Sequence, residues 1–267
     1  MILTDGNKIG LPPISEGTAF WAELWSHVLE EYKIRFGGPT PGTINPIETV
    51  DPGKPGAADA AAMVAALSAR ERARFTKFGK CKYLKKAWKR GRLRINPASS
   101  YSDPSLNRAI RDDELRIDAC PRPSEVSVPT SMESTTDYYV YCVSTKVSPR
   151  LFQDFEADAC IMFDHSERFG ERFAKALEER LPGWRIMCNQ VRYVDPVRDP
   201  LLPEAFFFTK HFRYSYQTEF RYVCLPPEPI ERLVPLDIVL GSLRDISAYR
   251  VLADCLCDSS WCVKSPG

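Results

Sequence analysis

Residues 137–147 run Asp-Tyr-Tyr-Val-Tyr-Cys-Val-Ser-Thr-Lys-Val, an aromatic and β-branched density that only a buried strand accommodates. A strand of this kind needs partners, and the C-terminal third supplies them. Residues 184–194, 205–212, 217–225 and 236–242 all have strand texture. Helical periodicity comes earlier or between strands. Residues 16–36 carry Phe20, Trp21, Leu24, Trp25, Val28, Leu29 and Tyr32 at helical spacing before Gly37 and Gly38, and residues 57–73 are rich in alanine. Residues 81–91 and 166–181 read as amphipathic helices. Helices set among largely non-alternating strands predict an α+β fold with a mixed, largely antiparallel sheet.

The chain of 267 residues is long enough for one large domain or two small ones. Residues 37–57 are crowded with Pro and Gly, so they read as a linker. The organisation expected is an N-terminal helical arm with its linker over residues 1–73, then an α+β catalytic domain over 74–267. Residues 74–80 and 93–96 are expected as short strands, residues 98–114 as a turn at Asp103-Pro104 running into a helix, and residues 121–135 as an exposed loop. The arm is a candidate for docking a protein partner through its aromatic helix.

No apolar run approaches the roughly 20 residues a membrane span requires, and the N-terminus lacks a basic segment followed by an apolar one. Nine scattered cysteines in a chain of this length read as reduced thiols, which suits a cytoplasmic protein without a membrane partner. Cys255, Cys257 and Cys262 lack a fourth ligand and zinc-knuckle spacing, so no metal is expected there. Three histidines, with no P-loop, Gly-x-Gly-x-x-Gly or Gly-x-Ser-x-Gly, exclude several common chemistries.

Two segments remain as candidates for chemistry. In residues 217–222, Gln217, Glu219 and Arg221 alternate with Thr218, Phe220 and Tyr222, so strand geometry predicts the three polar groups on one face. A glutamate between Gln and Arg can hydrogen-bond a sugar hydroxyl or offset a developing cation. The same row would equally suit a solvated strand face. Residues 80–94 hold eight positive charges and no negative one, with Tyr83 and Trp88 interleaved. That block could bind nucleic-acid phosphates, with Asp103 and Glu114 on a metal in a nuclease, or could be a lysine-rich helix face. A non-catalytic interaction module is a third possibility.

Lys210, Tyr216-Gln-Thr-Glu219-Phe-Arg221 and Ile238-Val-Leu-Gly241 resemble the C-terminal signature of an uncharacterised bacterial domain family. Phe75-Thr-Lys77-Phe78, Gly91-Arg-Leu-Arg94 followed by Tyr101-Ser-Asp103-Pro104, and Tyr141-Cys142-Val143-Ser144 resemble its upstream elements, in order over residues 74–245. The same order also resembles ADP-ribosyltransferases, in which a central strand ends in Ser-Thr-Ser and a later loop leads to Gln-x-Glu. That resemblance implies NAD as substrate, Glu219 as the ribose-orienting catalytic carboxylate, Gln217 on the acceptor side and Ser144 as support. It implies Lys77, Arg94, Tyr101, Asp103 and Arg221 as cofactor contacts, and a protein or nucleic-acid acceptor. By analogy it suggests a toxin or phage-defence role. The sequence departs from the pattern at Lys146, where the third serine would stand, and on the first strand, where no arginine stands at the expected place and Lys77 and Arg74 are left as substitutes.

Overall fold

The computed structural model describes residues 2–4, 8–10, 57–67, 75–107, 109–119, 130–195, 199 and 201–252. The chain divides into two compact units, residues 1–49 and 50–267. In the first, β1 (Ile2–Thr4) pairs antiparallel with β2 (Lys8–Gly10). The helix expected over residues 16–36 lies outside the described residues. In the second unit, α1 (Ala57–Ala65) is no part of a separate arm. Its Ala60, with Leu67 just beyond it, is buried in one apolar cluster with Phe78, Leu151 and Phe152.

The fold is α+β, and its main sheet is antiparallel throughout. The central strand is β7 (Tyr139–Ser144). One side of it pairs along its length with β12 (Glu219–Leu225), which pairs outward with β9 (Arg185–Gln190). The other side is shared. β4 (Arg92–Pro97) takes the start of β7, where Asn96 and Pro97 face Val140 and Tyr139, and β3 (Phe75–Gly79) takes its end, where Thr76 faces Ser144. From there two wings diverge. β4 leads to β13 (Leu236–Val239), and β3 leads to β8 (Ala159–Phe163) and β14 (Ser247–Val251). The sheet is forked, and β7 is its root.

The fork follows from how α2 (Cys81–Arg90) joins β3 to β4. The helix buries Cys81, Leu84 and Ala87 on one face and ends at Gly91, whose φ of 64° favours glycine. A Cβ at Gly91 would sit 1.7 Å from the Gly241 carbonyl oxygen, so no other residue fits the approach of β4's leading turn to the 240s loop. The longer α4 (Ser166–Arg180) repeats Phe169, Phe173, Ala176 and Leu177 on one face. That face packs on Tyr141 and Tyr222 of β7 and β12, forming the larger core. A shorter helix, α3 (Pro149–Asp154), starts at Ser148, whose hydroxyl accepts from the Arg150 amide.

Outside the main sheet, β5 (Arg116–Ala119) pairs antiparallel with β6 (Thr130–Glu133), and β10 (Arg192–Val194) pairs parallel with β11 (Thr209–His211). Two expectations need correction. Residues 98–114 contain a 3₁₀ turn over Ala98–Ser102 and then irregular turns, with no α-helix among the described residues. Asp103 and Asn107 take their local amides with their own side chains, which competes with helix formation. Residues 205–212 are not one strand, because a 3₁₀ turn over Pro203–Phe208 precedes β11. Cys142, Cys160, Cys188 and Cys224 are free thiols, whereas Cys81 is disulfide-bonded, unlike the fully reduced set expected. No helix among the described residues is long and apolar enough to cross a membrane.

Candidate functional site

On the side of β7 facing the fork, the main chain between the β4 and β3 contacts has no strand partner among the described residues. Instead the Lys77 ammonium donates to the Cys142 carbonyl at 2.8 Å and lies over the Tyr141 ring. Beside it opens a cavity of about 330 Å³, whose walls include Lys77, Tyr101, Ser144, Gln217 and Glu219. These side chains come from β3, the 3₁₀ turn after β4, the end of β7, the turn that precedes β12 and the start of β12. The fork thus gathers five of the eight residues that the sequence singles out.

The floor of the cavity is a buried charge cluster. Glu219 is 5% exposed and Arg221 1%. Arg221 Nε donates to Glu219 Oε1 at 2.5 Å, while its other nitrogens donate to Glu114 at 2.7 and 2.8 Å. Lys210, from β11, donates to Glu219 Oε2 at 3.1 Å and lies 3.7 Å from Glu114 and 3.8 Å from Asp112. Burial alone would push the Glu219 carboxyl up. Arg221 and Lys210, with a hydrogen bond from the Cys142 thiol, outweigh it and hold the group well below the usual carboxylate range. For Glu114 burial wins over the same two cations, and its carboxyl is raised. Burial lowers the Lys210 ammonium, but Glu219 and Glu114 overcompensate and raise it. Burial is decisive for Lys77, which is lowered despite the nearby Cys142 and Glu219.

The backbone before Glu219 sets its aim. A 3₁₀ turn over Phe212–Gln217 ends at Thr218, whose φ of 42° lies in the left-handed region. That conformation turns the Thr218 carbonyl toward Thr145, whose amide and hydroxyl donate to it at 2.8 and 2.9 Å. The Ser144 hydroxyl donates to the Gln217 carbonyl at 2.7 Å and sits 3.1 Å from the Thr218 hydroxyl. The Glu219 amide donates to the Tyr193 hydroxyl at 2.8 Å. Ser144 therefore supports the turn that delivers Glu219 rather than the carboxylate itself. Gln217 is not on the strand, so the alternation expected for it fails. Its side chain still reaches the cavity wall, accepting from Lys210 and donating to the Ala109 carbonyl at 2.7 Å.

Three expected contacts fall elsewhere. Arg221 is turned inward and fully engaged with Glu114 and Glu219, so it holds the site together rather than facing a ligand. Arg94 stands on the exposed face of β4, paired with Asp237. It lines a second cavity of about 600 Å³, with Lys86 and Arg92, that meets the first at Lys77, Asn96 and Tyr101. Asp103 is exposed and accepts from the Ser105 amide, a turn role. Lys210 enters the sequence reading only as a member of the family signature, Thr218 only there and in the alternating row, and Tyr193 is not named in it. Lys210 lies nine residues before Glu219, and Tyr193 carries no signal of its own.

In the basic segment, Trp88 stacks on Tyr249 and donates to the Ser247 carbonyl, so it belongs to the core. Tyr83 is 62% exposed. Among the described residues no group of three or more His, Cys, Asp or Glu side chains could hold a metal ion. Glu114 is committed to Arg221, and Cys255, Cys257 and Cys262 lie outside the described residues. Chemically, the cavity offers an ionised, oriented carboxylate that, with Arg221, Lys210 and the Cys142 thiol already donating to it, retains one of its roughly four lone-pair sites for a hydroxyl. Comparison of the chain with protein-family models, with curated proteins and with solved structures finds no match.

Proposed function

We propose that the chain is an NAD-cleaving enzyme of ADP-ribosyltransferase type that transfers ADP-ribose to a macromolecular acceptor. The observation carrying this reading is that Glu219, Gln217, Ser144, Lys77 and Tyr101 line a single cavity. Cleavage of the nicotinamide bond passes through an oxocarbenium-like state, and a fixed carboxylate beside the ribose offsets that charge without reorganising. Glu219 suits this role because its two cations keep it ionised while burial keeps it out of water. Gln217 borders the same space on the acceptor side. A dinucleotide is longer than the first cavity, and the adjoining one continues it past Lys77 and Tyr101 toward Lys86, Arg92 and Arg94, where a pyrophosphate would find cations.

The test is incubation with NAD labelled on the adenylate, in cell lysate, with nicotinamide release and label transfer followed together. Glu219→Gln is expected to lower both by about 100-fold or more, with its fold checked by circular dichroism. Absence of release and transfer from the wild-type chain in every lysate would sink the reading.

A second reading is favoured by one observation. Tyr83 is exposed on α2 among Lys82, Lys85 and Lys86, a surface that could stack a base and neutralise phosphates. It requires RNA or DNA binding that weakens steeply with salt and disappears when Lys82, Lys85 and Lys86 are neutralised.

A further inference from the structure

One cavity holds two lysines with opposite surroundings. Lys210 is wrapped by Glu219, Glu114 and Asp112 and is locked as an ammonium. Lys77, 133 positions earlier on β3, meets no carboxylate within ion-pair distance among the described residues; its contacts are a carbonyl oxygen and the Tyr141 ring. Where two like groups in one site are driven apart in this way, the environment is assigning them different work. The Lys210 ammonium is a fixed charge. The Lys77 amine gives up its proton more readily than an ordinary lysine, because burial disfavours its charged form. A deprotonated lysine facing a cavity is a carbonyl nucleophile.

The surroundings define what carbonyl compound would fit. At about 330 Å³ the cavity is at the small end of ligand sites, which run from about 300 to 1,000 Å³. Its polar wall, with Gln217, Ser144 and Glu219, suits hydroxyl groups. The adjoining lobe is lined by Lys86, Arg92 and Arg94 against the single acid Asp237, so an anionic tail extending past Lys77 meets cations. Hydroxyls at one end, an anion at the other and an amine between them describe a sugar phosphate.

We propose that Lys77 forms a Schiff base with the open-chain aldehyde of an aldose phosphate. The Lys77 ammonium loses a proton to solvent through the open cleft. The amine nitrogen then attacks the C1 carbonyl, a C–N bond forms, and the carbinolamine expels the former carbonyl oxygen as water, leaving the imine. No electron transfer is involved, and hydrolysis returns the free lysine. This capacity stands apart from NAD cleavage and is read without NAD, so either reading can fail alone.

The experiment uses the full chain with ribose 5-phosphate and sodium borohydride, which reduces any imine to a stable secondary amine, followed by peptide mass spectrometry. The expected result is one adduct per chain on Lys77, at least tenfold above that on the exposed Lys82 and Lys86, and at least tenfold above that formed with ribose. Lys77→Arg, which keeps the charge, should abolish it. Because site mapping is done on the wild-type chain, the result does not depend on a variant folding. Labelling spread evenly over surface lysines, or an unlabelled Lys77, would overturn the proposal.

Discussion

The ribbon formed by β7 and β12 has two faces built by the same strands to opposite ends. One face presents Tyr139, Tyr141, Val143, Tyr222 and Cys224, all buried against α4 and its neighbours. The rings of Phe173 and Tyr222 lie 4.8 Å apart, and those of Phe163 and Phe169 4.2 Å. The other face begins apolar, with Val140 and Val223, and ends in Cys142, Ser144, Glu219 and Arg221. Both faces exclude water, but only one contains charge. Burial of rings stabilises in proportion to area and is indifferent to pH. Burial of ion pairs is conditional, since each charge is tolerable only while its partner remains. The aromatic face stabilises the ribbon, and this stability allows the opposite face to hold groups that would not fold by themselves.

The largest effect expected is on the aromatic face. Phe173 is 1% exposed and touches Tyr141, Phe169 and Tyr222. Phe173→Ala should cost about 3–5 kcal/mol in urea unfolding, through lost transfer energy and the cavity left behind. The loss should be equal at pH 7 and pH 5, because no titrating group touches the deleted ring except through tyrosines that remain neutral at both. A loss that varied strongly with pH would break the division between the faces.

Arg221→Met tests the charged face, with a loss of comparable or somewhat smaller size, about 3–4 kcal/mol at neutral pH, because Glu114 and Glu219 lose a shared partner. Here the sign with pH is definite. In the wild type Glu219 is held below its unfolded value, so its contribution is present above the ordinary carboxylate range and lost as pH falls through its folded value. Glu114 is raised, so the unfolded chain gives up its proton first and stability falls as pH rises from the unfolded toward the folded value. Without Arg221 burial weighs more at both carboxyls, so Glu114 is raised further and Glu219, still beside Lys210, loses part of its downward shift. The cost of Arg221→Met should therefore shrink from pH 7 to pH 5. An undiminished cost would mean that the guanidinium acts through packing alone.

How much of this was legible in the sequence follows from the same contrast. The strand over 139–144 and the helix over 166–180 were readable, because each repeats its apolar residues at the period of its own geometry. Glu219 and Arg221 were readable as neighbours on one face. What alternation does not say is what covers a face. Arg221 reads as a ligand contact until Glu114, 107 positions away, is seen to close on it. Glu114 itself sits in an Asp-Asp-Glu run that has the texture of a solvated turn. The fork was hidden for a related reason. It depends on β3 and β4 meeting opposite ends of β7, and register between distant strands leaves no local mark. Helical expectation over 98–114 failed because Asp103 and Asn107 spend their side chains on nearby amides, a competition that periodicity does not register.

The smallest effect expected is at Thr218, where the two faces separate. A β-branched residue at a φ of 42° is strained, and such strain is typically of order 1–3 kcal/mol. Glycine would relieve it, but at an entropic cost of about 0.5–1 kcal/mol and with loss of the contact to the Ser144 hydroxyl. Thr218→Gly should therefore stay within about 1 kcal/mol of the wild type, by near cancellation of these effects. Thr218→Val keeps the branch and the strain and loses the hydroxyl, so it should be the less stable of the two. If valine proved the more stable, the left-handed turn would not be strained, and Glu219 would owe its aim to Thr145 and Tyr193 alone. If the order holds and Thr218→Gly also loosens the delivery of Glu219, the NAD cleavage proposed above should fall while the unfolding midpoint does not. That separation of activity from stability belongs to the charged face alone, since on the aromatic face every loss of packing is a loss of stability first.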